Sequence, residues 1–120
     1  MSMSFTDDAP TMALLVRRDL ELSTGKIAAQ CAHAAVDVAQ RARRSRIMER
    51  WRAGGARKIV LGVDDEMALH EIARLVPKGC FSHLVSDAGH TEVPPGTVTV
   101  LGMLGPRRTI DALVGHLTTL

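Results

Sequence analysis

The sequence predicts a single α/β domain in three layers, α/β/α, with a four-stranded mixed β-sheet flanked by helices. Three observations lead there. Short apolar or β-branched runs, Met12–Arg18 and Lys58–Val63, alternate with longer segments of helical period. Two further runs, Ser82–Ser86 and Thr97–Met103, are joined by a loop with two prolines and two glycines and no helix, so that pair is free to be antiparallel. A chain of 120 residues, 46% of them hydrophobic, can bury one sizeable core.

In chain order, residues 1–10 carry Asp7 and Asp8 and no apolar core of a signal peptide, and are expected to be a flexible leader before a single domain over 11–120. Met12–Arg18 is the first strand. Asp19–Gly25 is a loop in which Ser23 or Thr24 can cap the helix that follows, expected from about Lys26 to Arg43. On that helix Ile27, Cys31, Ala34 and Val38 make the stripe that faces the sheet. A second, basic helical piece covers Ile47–Ala53 and ends at Gly54-Gly55. After the strand Lys58–Val63, Asp64 is expected to cap a helix whose apolar face is Met67, Leu69, Ile72, Leu75 and Val76, closed by Pro77 and Gly79. Gly105-Pro106 opens a last helix, with Pro106 in its first turn and Ile110, Leu113, Val114 and Leu117 on one side.

The net charge of +2 is modest, but its distribution is lopsided. Between Arg41 and Lys58 stand eight cations, including Arg43, Arg44 and Arg46, against Glu49 alone. A one-signed run of this kind invites a polyanion, so phosphate binding is expected there. Aromatic residues are 2% of the chain, too few for a platform that stacks single-stranded bases, which leaves recognition through backbone phosphates. No apolar run approaches the ~20 residues of a membrane helix. Two cysteines, Cys31 and Cys80, make no disulfide framework and suit a reducing cytoplasm.

The stretch with most chemistry is Thr24–Ala34. Lys26, Gln30 and His33 fall at i, i+4 and i+7, so a cation, an amide and an imidazole leave the start of one helix on the same side. Gly25-Lys26 is no Walker loop: Leu20 stands where its first glycine belongs and Ile27 where its hydroxyl belongs. Lysine also opposes the positive end of the helix dipole, and a lone lysine here reads as an exposed surface residue; Gln30 and His33 beside it argue for a site. His33 alone reads as a structural histidine, though imidazole is the side chain suited to proton transfer near neutral pH. Asp87 begins a loop as a turn former would, or as a carboxylate at the sheet edge within reach of Lys26. Cys80 with His83, and Cys31 with His33, match no zinc-site spacing, and no metal is expected.

Several blocks, in order and spacing, resemble one family, the type II peptidyl-tRNA hydrolases. The similarity covers nearly everything from Met12 to the C-terminus and rests on Val16–Leu20, Gly25–Ala34, Asp87–Thr91, Pro95-Gly96 with Thr99–Gly102, and Gly115–Leu117. The resemblance implies the mixed four-stranded fold, usually a homodimer, with no metal or organic cofactor. It implies hydrolysis of the ester joining a peptide to the terminal ribose of tRNA, and site residues Lys26, Gln30, His33, Asp87, Thr91 and Thr99. In that scheme Asp87 orients or deprotonates the attacking water, with His33 as the competing base and Lys26 stabilising negative charge. Thr91, Thr99 and Gln30 position the ester or ribose, and Arg43, Arg44 and Arg46 hold RNA phosphates. His90 replaces a usual Arg or Lys, Glu92 a common Gln, Thr24 a frequent Lys, and Met103–Pro106 a Gly-rich run. The alternative is a non-catalytic RNA-binding or regulatory module that retains the fold.

Overall fold

The computed structural model describes residues 9–88 and 92–120. Its elements are β1 (Thr11–Arg17), α1 (Thr24–Arg41), α2 (Arg46–Ala53), β2 (Lys58–Val63), α3 (Glu66–Leu75), β3 (Phe81–Ser86), β4 (Val98–Gly105) and α4 (Arg107–Val114). The strands form one sheet in the order β2-β1-β4-β3. β1 and β2 run parallel, while β4 is antiparallel to both β1 and β3, so the sheet is mixed as expected. Because β3 therefore points the same way as β1, the turns that follow these two strands share one edge of the sheet.

Alternation along β1 divides the core. Met12, Leu14 and Val16 pack with Val100 and Leu104 against Cys31, Ala34 and Val38 of α1 and Met48 and Trp51 of α2. Ala13 and Leu15 face the other way, with Leu101 and Met103, onto Leu69 and Ile72 of α3 and Ile110 and Val114 of α4. Two helices on each face give the three layers.

α1 lies close to β4 because Gly102 has no side chain. A Cβ there would stand 2.9 Å from Val38 Cγ2 and 3.2 Å from Ala34 Cβ. Trp51 is held by its indole N–H, which donates to the Arg57 carbonyl at 2.8 Å, and the Lys58 ammonium sits 5.2 Å from its ring. Residues 118–120 run beside β2, with Gly62 N–H donating to the Thr118 carbonyl and Leu120 N–H to the Val60 carbonyl. Arg18 ties the same segment down through Thr118 Oγ1 and the Thr119 carbonyl.

Three local expectations are corrected. The cap of α3 is Asp65, not Asp64: its carboxylate accepts from Ala68 N–H, which needs the residue three positions earlier. Met67 and Leu75 are 70% and 67% exposed, since a helix of 10 residues against the sheet buries only the stripe around Leu69 and Ile72. Pro106 stands at the N-cap of α4, one position before its first turn.

Candidate active site

Ser23 caps α1 by accepting from the Lys26 N–H, and its own N–H and hydroxyl both donate to the Glu92 carboxylate. Those hydrogen bonds hold the Glu92 carboxyl below its ordinary value, with Lys26 adding a smaller attraction. Glu92 thus acts as a strap from the β3–β4 connection to the start of α1. It also places negative charge at the positive end of the helix, beside a lysine that the dipole disfavours.

Asp87 follows β3 directly. Its N–H donates to the Thr97 carbonyl and its carbonyl accepts from Gly96 N–H, both at 2.8 Å, which fixes the backbone. The Lys26 ammonium donates to Asp87 Oδ1 at 2.7 Å, with the two side chains only 12% and 7% exposed. Gln30 Nε2 donates to the same oxygen at 3.3 Å, and Thr99 Oγ1 donates to Gln30 Oε1 at 2.5 Å. Thr99 and Gln30 are themselves buried. A continuous chain of donors therefore runs from the sheet through the helix to one carboxylate.

Thr99 reaches this chain because β4 is irregular at that point. Val85 pairs with Val100 and Ser86 with Val98, leaving Thr99 as the extra residue of a bulge. Val98 and Leu101 pack on the α3–α4 side, while Val100 packs on the α1 side. Simple alternation would send Thr99 to the α3–α4 side. The bulge re-aims it towards α1.

A cavity of about 290 Å³ opens beside Asp87, bordered also by Gln30, His33, Asp37, His83 and Ser86. His33 is exposed and forms part of its wall. Sequence reasoning missed Asp37 and His83 as parts of this cleft, although the signal was there. Asp37 continues the Lys26, Gln30, His33 stripe by one more turn, and period two on β3 puts His83 and Val85 on one face. Thr91, expected at the site, lies outside the described residues.

The structure does not bring the arginines to this cleft. α1 starts at the Lys26 edge and its 18 residues carry the chain about 27 Å away, so Arg43, Arg44 and Arg46 stand at the opposite end. All three are exposed, and Arg43 donates to the Gln40 carbonyl that ends the helix.

A buried ion pair at a cleft mouth suits acid–base or electrostatic work on a carbonyl, and the comparisons with known proteins say which kind of chain carries it. Residues 10–120 match the family model described as peptidyl-tRNA hydrolase PTH2. The "Peptidyl-tRNA hydrolase" of Methanopyrus kandleri is 46% identical over 113 residues, covering 89% of this chain and 95% of that protein. That of Methanothermobacter thermautotrophicus is 40% identical over 110 residues, covering 89% and 96%. The human "Peptidyl-tRNA hydrolase 2, mitochondrial" is 40% identical over 110 residues, covering 88% of this chain but 62% of that longer protein. With a mixed four-stranded sheet, a lysine and an aspartate joined at one edge of it, a family model matched over residues 10–120, and two relatives matched over at least 95% of their length, the chain belongs to the peptidyl-tRNA hydrolase PTH2 family.

Proposed function

We propose that the chain hydrolyses the ester between a peptide and the terminal ribose of tRNA, with the Lys26–Asp87 pair as its chemical centre. The observation that carries this reading is the 2.7 Å contact of an ammonium and a carboxylate, both largely buried, with the carboxylate bordering a cleft, in a chain of this family. A carboxylate is not left in such a place without a partner, and this one has Lys26 and Gln30.

Water placed against Asp87 attacks the ester carbonyl carbon and gives up a proton as the new C–O bond forms. The tetrahedral oxyanion then collapses, the ribose C–O bond to the acyl carbon breaks, and the ribose oxygen leaves as a hydroxyl after taking a proton. The products are a free peptide carboxylate and tRNA. An ammonium has three donors, which lets Lys26 hold Asp87 and face the developing oxyanion together. Gln30 and Thr99 fix the carboxylate's position, and Thr91 positions the ester or ribose. His33, in the same cavity wall, is the competing base. Arg43, Arg44 and Arg46 take phosphates about a helix length away, a separation that suits a macromolecular substrate.

The reading includes tRNA binding, a homodimer and a cytoplasmic setting. Met67 and Leu75 of α3, 70% and 67% exposed, give a second copy apolar area to cover, and Cys31 and Cys80 are free thiols. Among the described residues no helix is long and apolar enough to cross a membrane. The deciding experiment is release of labelled peptide from N-blocked peptidyl-tRNA by the purified chain. Catalytic release with little action on free-amine aminoacyl-tRNA is expected. Binding without release would instead support the non-catalytic module.

A further inference from the structure

The cleft at Asp87 has a second end that the ester chemistry does not use. There His83 Nε2 of β3 lies 3.3 Å from Asp37 Oδ2 of α1, and both side chains remain partly open to solvent. Both border the same cavity of about 290 Å³ as His33 and Asp87. Pockets for whole ligands run from roughly 300 Å³ upward, so there is room beyond the reacting atoms for one further small group.

Direction decides which half of the substrate that group belongs to. Going along α1 from Lys26, the flank passes Gln30, His33 and Asp37 and ends at the turn that carries Arg43 and Arg44. With the ester at Asp87 and phosphates at the arginines, the last nucleoside of the RNA lies along this flank and the peptide leaves on the other side. Asp37 repels phosphate at this point. An ionised carboxylate only accepts hydrogen bonds, so its partner must be a donor, and on an adenine base that donor is the exocyclic amine. Imidazole faces are among those on which unpaired bases stack.

We propose that the cleft end is a subsite for the terminal nucleobase, in which Asp37 accepts a hydrogen bond from the base's exocyclic amine. His83 positions that carboxylate, and His33, left free when Asp87 serves as the base for water, stacks on the nucleobase. The inference rests on the hydrolase reading above and adds a specificity determinant to it.

Two N-blocked aminoacyl-tRNAs test it, one ending in adenosine and one in purine riboside, which lacks the amine and adds no other donor. The wild-type chain should favour the adenosine ending by about tenfold in kcat/KM. Asp37→Asn, whose amide donates as well as accepts, should bring that ratio to within about twofold of unity, partly by gaining on the ring-nitrogen acceptor of purine riboside. His83→Ala should lower the ratio in the same direction. A merely structural role for the pair would lower both rates together and leave the ratio alone. Equal rates on both substrates in the wild type would overturn the subsite while sparing the hydrolase. A ratio still near tenfold in Asp37→Asn would overturn the assignment of Asp37. Cleavage of neither substrate would remove the hydrolase reading and the subsite with it.

Discussion

Asp87, Gln30 and Thr99 hold one another in place, and each would be costly to bury alone. Thr99→Val keeps the shape but removes the donor to Gln30 Oε1, leaving a buried amide oxygen without its partner. The expected loss is about 1–3 kcal/mol of unfolding free energy, read from urea denaturation with an unchanged slope. Nearby, burial pushes the Cys31 thiol above its usual range, and burial does the same at Cys80. Little thiolate is then present at neutral pH, so alkylation of Cys31 should be far slower in the folded chain than in urea, as mass spectrometry of the labelled residue would show. Part of the candidate site was legible from the sequence for a simple reason: Lys26, Gln30 and His33 share one helix face, and helical period alone reveals that. Thr99 was not legible as a site residue from spacing, because its direction depends on a bulge that alternation does not foresee.

At the scale of elements, the distance between α1 and the sheet sets the distance between Lys26 and Asp87. Gly102→Ala would press a methyl group onto Val38 and Ala34, which are buried side chains with nowhere to go. A loss of about 1–3 kcal/mol is expected, together with reduced turnover as the helix is pushed off the strand. Urea denaturation and the release assay would read the two effects separately.

The strap between Glu92 and Ser23 gives a pH dependence with a definite sign. The Glu92 carboxyl is held below its unfolded value by Ser23, so its contribution is complete above the unfolded value. It is lost only as pH falls through the lowered, folded value. The chain should therefore keep this strap through neutral and mildly acidic pH, and Glu92→Gln should flatten part of the acid limb in a plot of thermal midpoint against pH. Element types and order were readable from period and punctuation. The ends were less so: Asp64 and Asp65 are equally good caps by composition, and only the hydrogen bond to Ala68 chooses between them.

For the whole molecule, the separation of the basic turn from the cleft is a consequence of topology. One 18-residue helix connects them and runs from one edge of the sheet towards the other. If RNA phosphates sit at the turn, replacing Arg43, Arg44 and Arg46 with Gln should weaken tRNA binding and make it less salt-dependent. The slope of log affinity against log salt should fall by about two to three, measured by filter binding, with kcat nearly unchanged. The charge run itself was plain in the sequence, whereas its distance from Lys26 needed the fold. Likewise the antiparallel β4 between β1 and β3 is what brings Lys26 and Asp87 to one edge, and no local pattern states it.

The most direct measurement is kcat on saturating N-blocked peptidyl-tRNA for Lys26→Ala and Asp87→Asn, the second chosen because it keeps the size and shape of the buried group. Each is expected to fall by about 100-fold or more, with circular dichroism matching the wild type. Folded variants that turn over as fast as the wild type would contradict the assignment of this ion pair to the chemistry.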